Sequence, residues 1–322
     1  MKRIGVFTSG GDSPGMNACV RAVVRGALYY GVEVYGIHRG YRGMIENDIH
    51  MMTSRDVSNI IQRGGTVLKT ARSQRFLTKE GREQAYKNLK ALEIDGLVAI
   101  GGNGTLAGMQ TFSQEHNMPF VGAPGTIDND LNGTDYTIGF DTAINTALEA
   151  IDKIRDTADS LERGFFIEVM GRHCGDIALL TGIGGGAEIV MLPEIVDSLD
   201  EIVESIKQML ANKKTSLIVV VAEGDELGNA EELGKKVKEQ IPKFKFRVTN
   251  LGHIQRGGSP TAADRVLGSQ LGLGAIEGLL SGKTNVMVGQ LKRRMTYTPI
   301  EECLKPRAID NELVRMLRIL ST

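Results

Sequence analysis

Short apolar runs recur along the chain, and each is followed by a glycine-bearing loop and then by an amphipathic stretch. These runs are predicted β-strands at residues 4–7, 96–100, 119–123, 165–170 and 217–221. Continuous apolar strands that alternate with helices are typical of a parallel sheet that helices cover on both faces. The pattern therefore predicts a doubly wound α/β fold, which does not by itself name a function.

The clearest predicted helix spans residues 16–30, and another is predicted at about 141–155. The apolar stripe of the first consists of Cys19, Val20, Val23, Val24 and Ala27. Arg21 and Arg25 stand four residues apart and off that stripe. Two interpretations stay open for this arginine pair: an ordinary solvated face, or a cationic ledge for a phosphorylated ligand.

Length and charge narrow the possible functions. A chain of 322 residues is long for one hydrophobic core, so two domains or lobes are expected. The net charge of −1 gives no basic field that would recruit nucleic acid or an anionic membrane. Any anion site must therefore be built locally from arginines and glycine loops.

The cysteines and the N-terminal sequence indicate a compartment. Cys19, Cys174 and Cys303 are far apart, odd in number and without metal-ligand spacing, which favours a reducing environment. The sequence shows no signal-peptide pattern and no apolar span long enough for a membrane helix. A soluble cytoplasmic protein without nucleic-acid or membrane partners is expected.

Two strand-to-helix loops are rich in glycine, at residues 10–11 and 101–104. Glycine lets backbone N–H groups approach a phosphate closely, because no Cβ is in the way. Neither loop is a Walker P-loop or a G-x-G-x-x-G fingerprint. The tempting Gly282-Lys283-Thr284 is discarded, since it follows a helix-like stretch and Glu277 replaces the first glycine.

Two carboxylates, Asp128 and Asp130, follow the predicted strand at residues 119–123 and a glycine turn at Gly125. Asp and Asn beside glycine are ordinary turn formers, so a solvated turn is one interpretation. The other is functional, because side chains at the carboxyl end of a strand lie where open α/β sheets hold ligands. Burying two carboxylates there needs a metal, an arginine or a proton-transfer role.

Arginines recur beside glycines at Arg63, Arg172 and Arg256, and Arg72 follows the first of them. Guanidinium groups in such places can clamp phosphates where the backbone comes close. With the glycine loops and the aspartate pair, they predict a site for two phosphorylated ligands. Direct phosphoryl transfer fits this set, because it needs positioning, charge neutralisation, a metal and a carboxylate base.

The chain closely resembles the bacterial ATP-dependent 6-phosphofructokinase family, nearly end to end. The matching stretches are residues 8–17, 62–66, 124–130, 133–140, 170–172 and 252–260. The resemblance implies two Rossmann-like three-layer αβα lobes with mostly parallel sheets. The larger, ATP-binding lobe would be residues 1–138 plus about 256–305, and the smaller, fructose-6-phosphate-binding lobe about 139–255 plus 306–322.

The resemblance also implies an activity, namely ATP-dependent phosphorylation of fructose 6-phosphate at its 1-hydroxyl, the committed step of glycolysis. Asp128 would be the base, Thr126 would lie beside it, and Arg172 would stabilise charge in the transition state. Asp130 and Asn103 would hold Mg²⁺ or its waters.

The implied ligand contacts divide into three sets. The ATP site would be lined by Gly11, Arg72, Phe76, Gly102, Gly104 and Thr105. Fructose 6-phosphate would be bound by Thr126, Asp128, Met170, Gly171, Arg172, Glu223, His253 and Arg256, with Arg163 and Arg247 coming from a neighbouring subunit of a homotetramer. An effector, ADP or phosphoenolpyruvate, would be bound by Arg21, Arg25, Arg155, Glu188 and Lys214.

The chain departs from the family pattern at a few positions. The family usually has aspartate, a magnesium ligand, at the position of Asn103, and an amide supplies oxygen without charge. At the effector site, Ser54, Asn212 and Ser216 stand where well-studied relatives carry cationic or histidine side chains. Weak or altered allosteric control is therefore expected.

Three alternatives to an ATP-dependent kinase stay open on the sequence. Pyrophosphate-dependent relatives tend to carry aspartate and lysine where this chain has Gly104 and Gly125, and those side chains would fill the space of the α-phosphate. A low-activity sugar-phosphate sensor is motivated by Asn103. A nicotinamide dehydrogenase is motivated by the fold class alone.

Overall fold

The computed structural model describes residues 1–321, which form two compact units. The first unit comprises Met1–Ile127, Leu131–Thr142 and Arg256–Pro306. The second comprises Asp128–Asp130, Ala143–Gln255 and the described residues from Arg307 onward. Both units are therefore discontinuous in sequence.

The strands and helices alternate along most of the chain. The strands are β1 (Arg3–Thr8), β2 (Glu33–Ile37), β3 (Ile49–Met51), β4 (Gly96–Gly101), β5 (Phe120–Pro124), β6 (Gly164–Val169), β7 (Ile189–Met191), β8 (Leu217–Ala222), β9 (Phe246–Asn250), β10 (Val286–Leu291) and β11 (Arg294–Pro299). The helices are α1 (Met16–Tyr29), α2 (Gly40–Glu46), α3 (Lys79–Ala91), α4 (Asn103–His116), α5 (Phe140–Leu161), α6 (Asp176–Gly184), α7 (Leu199–Ala211), α8 (Ala230–Gln240), α9 (Ala262–Leu280), α10 (Ile300–Cys303) and α11 (Asn311–Leu320). Two short 3-10 helices, Gln74–Leu77 and Gly252–Arg256, lie between them.

Each unit is built on one sheet. The sheet of the first unit has the order β11-β10-β5-β4-β1-β2-β3, and it is parallel except for the antiparallel pairs β2–β3 and β10–β11. The sheet of the second unit has the order β7-β8-β6-β9, and its pairs are all parallel. The predicted α/β fold with mostly parallel sheets is confirmed.

The predicted helix at residues 16–30 is confirmed as α1, and its apolar stripe is in the core. Each of its five stripe residues is 0% exposed. The helix packs against α9, where Gly272 allows the two backbones to approach: a Cβ there would lie 2.5 Å from the Cys19 carbonyl oxygen. The stripe is thus covered by the sheet on one side and by a neighbouring helix on the other.

The helix predicted at about 141–155 is longer than expected, because its buried stripe continues. Ala143, Ala147, Ile151 and Ala158 are all 0% exposed, at spacings that keep one helix face apolar. The helix accordingly ends at Leu161.

Burial on both faces explains the continuous apolar sequence of the strands in the second unit. All six residues of β8 are buried, because helices cover both of its faces. The helices α7 and α8 both begin with capping boxes, formed by Ser198 with Glu201 and by Asn229 with Glu232. Within residues 1–321, no helix has the length and apolar character needed to cross a bilayer.

Candidate active site

The first group of predicted site residues lies at the carboxyl ends of three adjacent strands, β5, β4 and β1. Two backbone hydrogen bonds tie the loops together: Ser9 N donates to Ile100 O at 3.0 Å, and Gly125 N donates to Gly101 O at 3.1 Å. The loops that follow these strands therefore lie together at the carboxyl ends of the strands, as the sequence predicted.

Glycine is required in these loops because backbone meets backbone there. A Cβ on Gly101 would lie 2.6 Å from Ser9 O, closer than a real side chain can approach. A Cβ on Gly102 would lie 3.3 Å from the Cβ of Thr126. The predicted ATP-site residue Gly102 thus contacts the predicted catalytic residue Thr126. A donor phosphate at this edge would meet backbone rather than side chains.

Arg256 takes part in this first group, although the resemblance assigned it to the sugar phosphate. An added Cβ on Gly11 would lie 3.1 Å from Arg256 Nη1, so the guanidinium lies against the first glycine loop. Both residues belong to the first unit. In this position the Arg256 guanidinium could bind a phosphate group at the glycine loop. Its contact with fructose 6-phosphate stays a prediction.

The α4 helix begins directly at Asn103, with Gly102 as its N-cap and without a side-chain cap. A Cβ added to the next residue, Gly104, would meet no atom within 4 Å, so open space lies beside the first turn. The N-terminus of a 14-residue helix favours negative charge, because its peptide dipoles align. Predicted ATP-site residue Thr105 is buried in the same turn.

The two remaining predicted ATP contacts differ in exposure. Arg72 is exposed and opens onto a pocket of about 290 Å³, which Arg42 and Arg75 also line. Phe76 is 3% exposed and stacks on Tyr41 with ring centroids 3.9 Å apart. Its ring contributes to the core, and a contact with ATP stays a prediction for this residue.

The second group of predicted residues combines the loops after β6 and β8 with the turn at Asp128–Asp130, which follows β5 in sequence but belongs to the second unit. Its centre is an ion pair, in which Arg172 Nε lies 3.3 Å from Asp128 Oδ2. The Asp128 side chain is 3% exposed, whereas the Arg172 side chain is 54% exposed. A buried carboxylate is therefore paired with a guanidinium that still faces solvent.

The backbone of Arg172 has an unusual conformation, with φ at 54°. Glu223 Oε1 accepts from Arg172 N at 3.0 Å and from Gly171 N at 3.4 Å. A Cβ on Gly224 would lie 2.4 Å from Arg172 O, so glycine is needed there. The loops after β6 and β8 therefore fix each other, and the left-handed arginine is held where it meets Asp128.

The other predicted sugar contacts are not all at one end of the sheet, because Met170 and Gly171 follow the carboxyl end of β6 whereas Arg163 immediately precedes its first residue. Met170 N donates at 2.9 Å to Oε1 of Gln255, a residue that is 0% exposed. His253 and Arg247 are exposed, and Arg163 is half-buried. Gln255 lies in the matching stretch at residues 252–260, and sequence spacing alone does not reveal a buried glutamine that accepts a hydrogen bond from the N–H after a strand.

A carboxylate that the sequence analysis missed contacts the aspartate turn. Asn129, between Asp128 and Asp130, has φ at 56° and donates from Nδ2 to Asp176 Oδ2 at 2.8 Å. Arg307 Nε lies 3.8 Å from the same oxygen. A turn asparagine was the only local signal, because asparagine tolerates left-handed backbone better than most residues.

Burial raises the pKa of the Asp130 carboxyl above its ordinary value, and the positive charges of Arg172 and Arg307 act in the opposite direction. The Arg172 guanidinium therefore acts on both carboxylates of the turn. Among residues 1–321, no cluster of three or more His, Cys, Asp or Glu side chains could hold a metal. The predicted magnesium donors are one carboxylate, Asp130, and one amide, Asn103.

The three cysteines are buried, and burial raises the pKa of each thiol. They are therefore protonated at neutral pH and unsuited to act as nucleophiles. This agrees with a site that transfers a group directly.

A family model described as phosphofructokinase matches residues 3–279. The chain belongs to the phosphofructokinase family. The ATP-dependent 6-phosphofructokinase 1 of Thermus thermophilus is 58% identical over 322 residues and covers both chains fully. The ATP-dependent 6-phosphofructokinase of Cytophaga hutchinsonii is 53% identical over all of this chain and 98% of its own.

Solved phosphofructokinase structures have the same fold. The phosphofructokinase of Saccharomyces cerevisiae matches all of this chain and 47% of that longer chain, with a TM-score of 0.89 and 35% identity. The pyrophosphate-dependent phosphofructokinase of Marinobacter aquaeolei matches all of this chain and 92% of its own, with a TM-score of 0.84. At 23% identity, the second likeness concerns the fold alone.

The effector residues predicted from the phosphofructokinase family fall into two groups. In the second unit, Glu188 lies 2.9 Å from Lys214 Nζ and 3.6 Å from Arg155 Nη1. Its side chain is 6% exposed, and its other oxygen accepts from Ile218 N at 2.6 Å. In the first unit, Arg21 and Arg25 lie on α1, and the pKa of Arg21 is lowered by burial and by the charge of Arg25.

Proposed function

We propose that the chain transfers the γ-phosphoryl group of ATP to the 1-hydroxyl of fructose 6-phosphate, which gives fructose 1,6-bisphosphate and ADP. Relatives of matching length are ATP-dependent 6-phosphofructokinases, at 58% and 53% identity. The observation that carries the proposal is the buried Asp128 carboxylate paired with the exposed Arg172 guanidinium.

Asp128 would act as the general base. Its ionised carboxylate takes the proton of the sugar's 1-hydroxyl, and the oxygen then forms a bond to the γ-phosphorus. The bond between that phosphorus and the β,γ-bridging oxygen breaks, and its electron pair leaves with ADP. Ion pairing with Arg172 favours the charged form of the carboxylate at neutral pH. Base assistance of this kind is worth about 10²–10⁴ in rate.

Arg172 would neutralise the negative charge that develops on the transferring group. Its backbone is held by Glu223 and by the close approach of Gly224, which limits the reorganisation of this residue during the reaction. The Arg172 side chain is 54% exposed and is therefore accessible to a ligand. Thr126, next to Gly102, would help to place the acceptor hydroxyl.

The proposed binding roles follow the two units. ATP would be bound by the first unit through Gly11, Gly102, Gly104, Thr105, Arg72 and Phe76. Fructose 6-phosphate would be bound through Met170, Gly171, Glu223 and His253 of the second unit, with Arg256 and with Arg163 and Arg247 of a neighbouring subunit. The contribution of a neighbouring subunit would require an oligomer, as would an effector site for ADP or phosphoenolpyruvate between subunits, and the assembly that we propose is a homotetramer.

Magnesium is the implied metal, and the oxygen donors of Asp130 and Asn103 fit it. Mg²⁺ prefers oxygen ligands and commonly uses one or two carboxylates together with substrate phosphates and waters. Asp130 offers a carboxylate, and Asn103 offers a neutral oxygen. When bound, the metal would neutralise charge on the ATP phosphates.

The decisive experiment compares phosphoryl donors. Initial rates are measured with fructose 6-phosphate and either ATP or pyrophosphate, across a magnesium series, with fructose 1,6-bisphosphate as the detected product. Turnover with ATP and little with pyrophosphate supports the proposal. Turnover with pyrophosphate alone would favour the pyrophosphate-dependent alternative. Tight binding of fructose 6-phosphate without turnover with either donor would favour a sugar-phosphate sensor.

A further inference from the structure

The aspartate turn, residues Asp128–Asp130, is held by a contact that none of the proposed substrate roles uses. Asn129, the residue between Asp128 and Asp130, donates from Nδ2 to Asp176 Oδ2 at 2.8 Å. Asp176 is 47 residues further along the chain, at the first position of α6. Arg307 approaches the same carboxylate oxygen at 3.8 Å. Three separate chain segments of the second unit, which contain Asn129, Asp176 and Arg307, therefore meet at the turn.

Stabilisation of α6 alone does not explain why the Asp176 side chain is buried. An acidic residue in the first helical turn interacts favourably with the helix dipole even when it is exposed. Here the side chain is 14% exposed, and burial raises the pKa of its carboxyl. Withdrawing a carboxylate from water is unfavourable unless it is hydrogen-bonded or paired. The Asn129 amide and the Arg307 guanidinium supply those partners.

The backbone of Asn129 explains why a fixed side chain matters. Its φ of 56° lies in the left-handed region, which is unfavourable for most residues other than glycine. Asn129 is 1% exposed, so its amide needs an internal partner. The bond to Asp176 satisfies one donor and holds the residue that separates Asp128 from Asp130.

We propose that Asp176 is a positioning residue that acts through Asn129 to hold the Asp128 carboxylate against Arg172. The role rests on the proposed function of Asp128, because a base must be placed accurately to take a proton. Displacement of a reacting group by about 1 Å can cost about 10²-fold in rate. Neither Asn129 nor Asp176 needs to touch a substrate for this effect.

The test is a double-mutant cycle with separate kcat and KM values. We expect Asp176→Ala to lower kcat by about 10- to 100-fold while both KM values change by less than about threefold. Asp176→Asn keeps an accepting oxygen and should stay within about threefold of the unaltered kcat. Asn129→Gly keeps a residue that tolerates positive φ but removes the amide, so it should lose as much as Asp176→Ala.

Coupling between the two positions decides the assignment. The double variant should be no slower than the slower single variant, because both substitutions break the same hydrogen bond between Asn129 and Asp176. Losses that multiply, or an Asp176→Ala variant with unaltered kcat, would overturn the proposal. If Asp176→Ala does not fold, an Asn129→Gly variant that folds and keeps its kcat overturns it equally. Asp197→Ala is the control, because it removes a carboxyl whose pKa burial also raises but whose charged neighbours are Asp225, Glu201 and Arg318.

A structural readout separates this inference from the proposed function. Crystal structures of the unaltered chain and of Asn129→Gly give the distance between Asp128 Oδ2 and Arg172 Nε, 3.3 Å here, without any assay. A longer distance in the variant supports positioning, and an unchanged distance contradicts it. An unaltered chain that does not phosphorylate fructose 6-phosphate would contradict the proposed function instead.

Discussion

Arg172 Nε lies 3.3 Å from Asp128 Oδ2, which joins an exposed guanidinium to an almost fully buried carboxylate. The pair links residues 44 positions apart in sequence, and both follow the ends of parallel strands. The position of the Arg172 backbone is fixed, because Glu223 accepts a hydrogen bond from its N–H and Gly224 lies against its carbonyl oxygen.

Asp128→Asn tests the base. The amide keeps the shape of the side chain but cannot accept a proton at neutral pH, so kcat should fall by about 10²–10⁴ while the melting temperature changes little. The exposed helical carboxylate Asp152, changed to Asn, is the matched control. Unaltered catalysis in Asp128→Asn would remove the base from the mechanism.

Arg172→Lys tests whether the planar fork matters in addition to the charge. Lysine keeps one positive charge but presents it as a point rather than as a fork, so we expect kcat to fall by at least about 10-fold. Arg172→Ala should fall further, because the charge is lost as well. Equal rates for Arg172→Lys and the unaltered chain would show that charge alone suffices.

The sequence predicted five of the eleven strands described in residues 1–321, namely β1, β4, β5, β6 and β8, because their apolar runs are short-range patterns. Alternation of apolar runs with amphipathic stretches identified β4 and β8, and the glycines that follow marked the carboxyl ends of these strands, where open α/β sheets generally hold ligands. The extent of α5 was underestimated because its last buried residue, Ala158, lies beyond a polar stretch that resembles a helix end.

Contacts between distant segments could not be read from sequence in the same way. Phe76 follows Arg72 closely and was assigned to a ligand, yet its ring stacks on Tyr41, 35 residues earlier. The bond from Asn129 to Asp176 depends on a backbone angle that an asparagine permits but does not require. Such relationships are set by tertiary packing, which local propensity does not encode.

Gly104→Asp tests the donor site. An added Cβ meets no atom within 4 Å, and aspartate is favourable in a first helical turn, so the fold should tolerate the change. A carboxylate there would repel the ATP phosphates, and the KM for ATP should rise by about 10- to 100-fold. Gly104→Ala is the control and should change this KM by less than about threefold. An unaltered KM for ATP in Gly104→Asp would place the nucleotide elsewhere.

Asn103→Asp tests the metal. A carboxylate binds hard cations better than an amide does, so half-maximal rate should need less magnesium. Calorimetry of magnesium–ATP binding provides a readout that does not depend on turnover. Asn117→Asp, at the other end of α4, is the matched control. An unchanged magnesium titration would exclude a contact between residue 103 and the metal.

Asn212→Arg tests the effector site. Lys214 is paired with the buried Glu188, so part of its charge is already neutralised, and the nearby C-cap residue Asn212 adds none. The unaltered chain should therefore respond weakly to phosphoenolpyruvate or ADP. An added charge-assisted hydrogen bond is worth about 1.5–3 kcal/mol, so Asn212→Arg should tighten effector binding at least about 10-fold. Asn212→Gln adds length without charge and should leave the affinity unaltered. Strong inhibition of the unaltered chain by micromolar phosphoenolpyruvate would contradict the prediction, because it would show that the existing cations suffice.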